Sequence, residues 1–438
     1  MPISVPALLD SAQTFATAAD SSDAALDLLQ IVDASHAYTS GYTRRNYYDS
    51  AGLLPTADSS MEGMISLVKG ADPYTGSGNG LYLCTGTEWT QFYDLDSGTN
   101  PYAFQGEDKA YVYGGAGNPP QSPATASNDL IDAFPFASDT NATDTANLIA
   151  VNQKLSGVSS ASAGYDWTGT GPGGVNGRHA TFGIDKFVFA SETDATPVSN
   201  SIGEYGVHHA ASASDISAGY TFGGQRYTYP GSGVTFSPSI IRPLDTVLKL
   251  TYASDTSGAA DHGNLNFSQG SMAGLSSPTE GKAYTAAGTP GAPTNTPFVG
   301  TVREIPFASG TSVTTRSNGV SAYGGRTGVS SPTDGYVAGG RLPSGPPYAV
   351  TDIDKFPFAS DTAKSDQGDL VSIGYGQVGN SSSSNGYISG GTMAGTPAPP
   401  TAGVYNDTIQ KFPFASATNA TDIGNLSRGA YNAGGWQN

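Results

Sequence analysis

The chain has 438 residues, with 37 acidic against 19 basic side chains and a formal net charge of -18, which argues against a nucleic-acid binder and against docking on an anionic membrane. Charged residues are only 13%, whereas glycine (58), proline (28) and tyrosine (24) are abundant, a composition that excludes a fold dominated by long amphipathic helices and fits a mainly β, turn-rich protein. No run of about 18 apolar residues marks a membrane-spanning helix, Met1-Pro2-Ile3-Ser4-Val5 does not open a secretory leader, and the single Cys84 excludes an intrachain disulfide and a thiolate metal cluster. The expectation is a protein made in a cytosol and stabilised by packing alone.

Residues 1–70 read as an N-terminal helical segment. Val5, Leu8, Leu9, Ala12, Phe15, Ala16 and Ala19 recur at helical spacing, and Ser21, Ser22 and Asp23 can cap a second helix carrying Ala25, Leu28, Leu29 and Val32. Two short helices with one apolar face each make no core alone, which leaves a local helical hairpin or an interface in a homo-oligomer. Residues 71–106 read as a connector built on a hairpin: Gly80-Leu81-Tyr82-Leu83-Cys84, a Thr85-Gly86-Thr87 turn, then Trp89-Thr90-Gln91-Phe92.

From 107 to 438 the chain repeats itself. Ile353-Asp354-Lys355-Phe356-Pro357-Phe358-Ala359-Ser360 returns at Ile131, Ile184 and Ile409 and, degenerately, at Val247 and Val302. Each copy follows a second phrase, clearest as Gly335-Tyr336-Val337-Ala338-Gly339-Gly340, with versions around Tyr111, Tyr165, Tyr220, Tyr284 and Tyr387. The versions at Tyr165 and Tyr284 lack the double glycine, which predicts different turns there. A third phrase stands upstream as Gly157-Val158-Ser159-Ser160, Gly274-Leu275-Ser276-Ser277 and Gly328-Val329-Ser330-Ser331. Each unit therefore reads as strand, turn, strand ending in glycines, variable loop, third strand. Proline lacks the N–H for a ladder, so Phe-Pro-Phe places it at a strand end or an unpaired edge. Six units of about 50 residues in this order resemble kelch-type blades. The resemblance implies a six-bladed kelch-like β-propeller rather than a β-solenoid of shorter repeats, and with residues 1–106 the expected fold is mainly β, a propeller carrying a small N-terminal α/β attachment module. The first unit lacks an inner strand upstream of Lys109, while the last runs on to Gly434-Gly435-Trp436, so the C-terminal segment is expected to supply the missing strand.

Chemistry is sparse. His208-His209 is the one histidine cluster and has no third ligand at metal spacing, so it reads as a surface or loop pair. Copper oxidases of the galactose oxidase kind need a cysteine cross-linked to tyrosine, and Cys84 lies outside the repeats. No Gly-x-Ser-x-Gly elbow is present, and paired carboxylates stay open because their separation is spatial. Asp139-Thr140-Asn141-Ala142-Thr143-Asp144, echoed by Thr418-Asn419-Ala420-Thr421-Asp422, reads as side-chain-to-backbone turns, with calcium as the alternative. The expectation is no enzyme, no resident metal and no cofactor.

The variable segments between the second and third phrases are rich in Gly, Pro and Tyr and emerge on one face of a propeller. Loops on a rigid scaffold carry binding residues, and aromatic rings stack on sugars. The candidate ligand-binding residues are Trp167, Arg178, Tyr227, Tyr229, Tyr348 and Tyr405, set against the plainer reading that such aromatics pack the loops onto the blades. The Leu81-Tyr82 to Gly86 to Trp89 hairpin resembles those of bacteriophage fibre and appendage proteins. The Phe-Pro-Phe-Ala-Ser-Asp phrase is similar to propeller repeats in structural proteins of marine, cyanophage-like tailed phages. These resemblances imply a virion component made in the host cytoplasm. Its N-terminal module would contact other virion proteins, and its propeller would serve host-surface adsorption, through a glycan in the favoured reading. The alternatives are a capsid, neck or tail decoration or assembly protein without a host ligand and, more distantly, a glycan-active enzyme.

Overall fold

The computed structural model describes residues 47–48, 54, 56, 65–68, 80–84, 89–94, 105–117, 128–166, 169, 183–200, 207–228, 240–277, 280–290, 298–309, 312–317, 319–343, 349–392 and 405–438. They fall into two compact units, Met1–Pro101 and Tyr102–Asn438. The helical stripes read over Val5 to Val32 lie outside the described residues. In the first unit Gly80–Cys84 turns back on Trp89–Asp94 with Cys84 opposite Trp89, which is the expected hairpin. It belongs to a four-stranded sheet in which Ile65–Val68 pairs antiparallel with Gly80–Cys84 and Tyr47–Tyr48 runs parallel to Ile65–Val68.

The second unit is a six-bladed β-propeller of four-stranded antiparallel sheets. From inner to outer strand the second blade is Gly157–Ser159, Ala163–Asp166, Gly183–Val188 and Thr196–Asn200; the third is Ala211–Ser214, Ala218–Phe222, Thr246–Thr251 and Ala260–Asn264. The fourth is Ala273–Ser277, Lys282–Ala286, Val302–Pro306 and Thr314–Thr315. The fifth is Thr327–Ser330, Asp334–Ala338, Asp352–Pro357 and Ser365–Asp369; the sixth is Val378–Ser381, Asn385–Ser389, Thr408–Pro413 and Thr421–Asn425. The first blade is a composite. Its inner strand is the C-terminal Gly434–Gln437, paired with Lys109–Tyr113, Asn128–Pro135 and Thr143–Asn152. The inner strands contact one another in a closed cycle, so the two ends of the unit are joined within one sheet.

Each repeated phrase performs one task in this ring. The Gly-x-Ser phrase is the inner strand, and its serine links blades. The Ser159 N–H donates to Ser214 Oγ (3.1 Å), Ser214 to Ser276 (2.9 Å), Ser276 to Ser330 (3.1 Å) and Ser330 to Ser381 (3.0 Å). Ser381 N–H then donates to Gln437 Oε1 (2.8 Å), and Gln437 N–H returns to Ser159 Oγ (3.1 Å). The longer glutamine replaces a serine only in the C-terminal strand. Two positions earlier, Gly274 and Gly328 leave no room for a Cβ: it would strike the carbonyl oxygens of Ser212 and Gly274 in the preceding blades.

The tyrosine of the second phrase forms the blade interface on the other side. Tyr111 stacks on Phe189 (5.1 Å between centroids), Tyr165 on Tyr252 (5.2 Å) and Tyr220 on Phe307 (4.9 Å). Tyr284 stacks on Phe358 (4.7 Å), Tyr336 on Phe414 (4.8 Å), and Tyr387 meets Phe136 (4.8 Å). In every case the partner is the aromatic that ends the neighbouring blade's Phe-x-Phe phrase or its degenerate form, Leu250-Thr251-Tyr252 or Ile305-Pro306-Phe307. Four of the hydroxyls also donate to that residue's carbonyl, as Tyr220 does to Phe307 O (3.2 Å) and Tyr284 to Phe358 O (3.2 Å). Aromatic pairs contribute about 0.5–1.5 kcal/mol each beyond area burial. Pro135, Pro306, Pro357 and Pro413 are the last residues of their third strands, which answers the missing N–H.

Ring closure has its own fastenings. Trp436 is 1% exposed, stacks on Tyr113 (3.7 Å) and Phe187 (5.6 Å), and donates from Nε1 to Tyr165 O (3.0 Å). Arg428 makes a fully buried ion pair with Asp132 (2.6 Å) and donates to Gly114 O (2.8 Å) and Leu130 O (3.1 Å). Arg326 and Asp354 repeat this arrangement in the fifth blade (2.5 Å). The turn at the degenerate fourth unit does not differ as expected. Ala287 adopts φ 56, close to Gly223 (57) and Gly339 (60), and Gly288 adopts φ 116, close to Gly340 (120). The blade geometry imposes the turn, and the alanine carries the steric cost of the left-handed region.

Candidate functional site

Antiparallel strands fix which segments share an end of the propeller. Inner strands begin where second strands finish, so the segments before each inner strand and the variable segments after each second strand meet at one end. Bridges show the meeting directly: Ala116 with Tyr431, His208 with Gln225, Gly324 with Arg341, and Tyr375 with both Thr392 and, through it, Tyr405. At the opposite end the chain enters the ring, where Gln105 Nε2 donates to Ser330 O (3.0 Å) and Gly106 N–H to Ser381 O (2.8 Å).

The variable-loop end opens on a channel mouth. Lys154, His209, Ser271, Gly325, Gly376 and Asn432 occupy one equivalent position per blade, and all are left-handed, with φ of 63, 55, 54, 65, 64 and 52. Backbone bonds pass from one to the next: Lys154 N–H to Asn432 O (2.7 Å), His209 to Lys154 (3.3 Å), Ser271 to His209 (2.9 Å), Gly376 to Gly325 (3.0 Å) and Asn432 to Gly376 (2.9 Å). These residues and the inner-strand glycines line a cavity of about 150 Å³. Burial and the Lys154 ammonium push His209 down to about 3, so its imidazole is neutral at pH 7. His208 beside it is fully buried and pairs through its backbone with Gln225; the pair stands in a loop between strands, as one of the two expected placements had it, with His209 half-buried and His208 drawn inward.

Beside the mouth runs an arc of rings drawn from four blades. Tyr405 stacks on Tyr431 (5.7 Å, 8° between planes), and Tyr431 meets Tyr375 edge-on (5.6 Å). The Arg341 guanidinium lies over Tyr375 (5.6 Å) and over Phe298 (5.4 Å). Phe298, Tyr375, Tyr405 and Tyr431 are half-buried and Arg341 is exposed. Burial raises the hydroxyl pKa of Tyr431 and Tyr405, in each case reinforced by Tyr375, so both remain hydrogen-bond donors at neutral pH. Partly exposed rings with neutral hydroxyls, set beside a guanidinium, can stack on an amphipathic ring and bond its polar edge.

Of the six residues expected to bind a ligand, the structure places Tyr405 in this arc. The backbone of Tyr227 lies in the strand Gln225–Thr228, while its side chain lies outside the described residues, as do Trp167, Arg178, Tyr229 and Tyr348. Sequence reasoning missed Arg341, Tyr375 and Tyr431. Arg341 opens a variable segment, directly after Gly339-Gly340. Tyr375 and Tyr431 stand at one equivalent position in consecutive units, a signal visible only after the units are aligned on their inner-strand residues Ser381 and Gln437.

The Asp- and Asn-rich turns bond across blades. Asn141 Oδ1 accepts from Asn425 N–H (3.0 Å), Asn419 from Asp369 (3.0 Å), and Asp194 from Asn147 (2.9 Å). No group of three or more His, Cys, Asp or Glu side chains arranged to hold a metal occurs among the described residues. Compared with known protein families and with curated proteins, the chain matches none.

Proposed function

We propose that this protein is a non-enzymatic structural component of a tailed-phage virion, a tail-fibre or appendage protein. In this reading a small N-terminal α/β module attaches it to other virion proteins, and a kelch-like propeller binds a host-surface glycan during adsorption. The observation that carries the reading is the arc Phe298–Arg341–Tyr375–Tyr431–Tyr405. These half-exposed rings sit at the end of the propeller where the variable segments emerge. Three further features support it. The chain enters the ring at the end opposite the arc. Strained left-handed residues such as Lys154 and His209 gather at the mouth, and strain of this kind clusters at ligand-binding sites. The phage resemblance of the Leu81–Trp89 hairpin supplies the virion setting.

The test has two arms. Gold-labelled antibody on intact virions is expected at fibre tips or distal appendages; label over the shell or neck favours decoration or assembly, and absence from disrupted particles ends the virion reading. On a glycan array the folded protein is expected to bind bacterial envelope polysaccharide, and Tyr375→Ala with Tyr405→Ala to lose that binding at an unchanged fold. Release of reducing sugar from a bound polysaccharide would instead point to an enzyme.

A further inference from the structure

We propose that the glycan read by this face carries an oxyanion, a uronate carboxylate or a sugar phosphate, and that Arg341 is the residue that recognises it. The inference rests on the glycan reading above and adds the chemical class of the ligand.

Among the arginines whose side chains are described, Arg341 is held unlike the others. Arg326 and Arg428 spend their guanidinium groups on buried Asp354 and Asp132 and on main-chain carbonyls. Arg316 bonds Phe358 O and Asp361, and Arg303 bonds Gln269 Oε1 (2.9 Å). Arg341 is exposed, and its guanidinium makes no hydrogen bond or ion pair with any described residue. Its contacts are the rings of Phe298 and Tyr375. The main chain beneath it is fixed from two sides: its N–H donates to Gly324 O (2.7 Å), and it bridges both Gly324 and Ala349.

That arrangement prepares an anion receptor. Ring contacts restrict the side chain, and a guanidinium presents its donors as a planar fork that matches carboxylate or phosphate oxygens. Restricting the fork beforehand removes part of the entropy cost of binding. The setting makes the local charge decisive, because a chain of net charge -18 repels polyanions at long range. A saccharide stacked on Tyr375, Tyr431 or Tyr405 sits next to the one exposed cation of the arc, so an acidic substituent finds a partner and a neutral sugar does not.

The experiment measures binding of the full-length protein by interferometry to a panel of purified bacterial envelope polysaccharides. Each is presented native, carboxyl-reduced and dephosphorylated. Wild type is expected to lose at least tenfold in affinity on one of the two treatments, and the treatment that matters identifies carboxylate or phosphate as the source. Arg341→Gln is expected to bind the native polymer at least tenfold more weakly and no longer to distinguish native from neutralised polymer, with an unchanged melting temperature. Arg341→Lys, a point charge without the fork, is expected to recover only part. Equal wild-type binding to all three forms, or retained discrimination in Arg341→Gln, overturns the oxyanion inference. The glycan reading survives either result if Tyr405→Ala still loses binding. No binding to any form of any polysaccharide overturns both.

Discussion

The two ends of the propeller obey the repeat to different degrees. At the end where the chain enters, all six blades make the same contact, a buried tyrosine against the aromatic that follows its neighbour's third strand. At the variable-loop end one equivalent position holds Gln153, His208, Gly270, Gly324, Tyr375 and Tyr431. The backbone there stays regular, as the run of left-handed residues shows, while the side chains diverge. Closure requires six compatible interfaces, so residues that form them are held alike. Positions that closure leaves unconstrained are free to differ, and the aromatic arc lies among those.

The comparison can be broken most severely at the seam. Deleting the last twelve residues removes Trp436, Gln437 and Arg428 together, and loss of the cooperative unfolding transition is expected in calorimetry; an unchanged melting profile contradicts closure through the C-terminal strand. Trp436→Ala alone is expected to cost about 3–5 kcal/mol in denaturant unfolding. Next comes the contrast between the ends. Tyr336→Ala, at a uniform interface, is expected to destabilise by about 3 kcal/mol, whereas Tyr405→Ala in the half-exposed arc should cost about 1 kcal/mol or less. Equal costs would mean that the arc is packing and not a recognition surface.

The smaller effects concern the channel mouth and one turn. His209 has its folded pKa pushed down to about 3, below the unfolded value of about 6.5. Between these values the unfolded chain binds the extra proton, so its contribution to stability is complete above about pH 6.5 and is lost as pH falls. Partial exposure of the ring reduces the effect, and about 1 kcal/mol of stability should disappear between pH 7 and pH 5. His209→Asn should remove that component from the stability profile. Ala287→Gly relieves a left-handed alanine and is expected to stabilise by about 0.5–1 kcal/mol, read as a raised melting temperature.

How much was legible follows from which residues repeat. The order of the three inner strands of each blade, the prolines at strand ends and the closure by Gly434–Gln437 could be read because each blade must present matching edges to two neighbours, and matching edges leave recurring phrases; the outer fourth strand, as Ser365–Asp369 in the fifth blade, was not read. The roles of those phrases could not be read: nothing local says that Ser330 accepts from Ser276 or that Tyr336 meets Phe414, since both partners lie in other units. The turn at Ala287 was misjudged for the same reason, because a local steric preference yields to a blade held from both sides. At the site, Tyr405 was anticipated from its variable segment, while Arg341, Tyr375 and Tyr431 were not.

The sequence by itself determined the number of blades, the order of their three inner strands and the place where the ring closes, because those follow from repetition along one chain. Only the tertiary structure decided which side chains stand together at the channel mouth. Phe298, Arg341, Tyr375, Tyr405 and Tyr431 come from four blades, and the rotation of each blade about the axis brings them into one arc without leaving any pattern of spacing in the sequence.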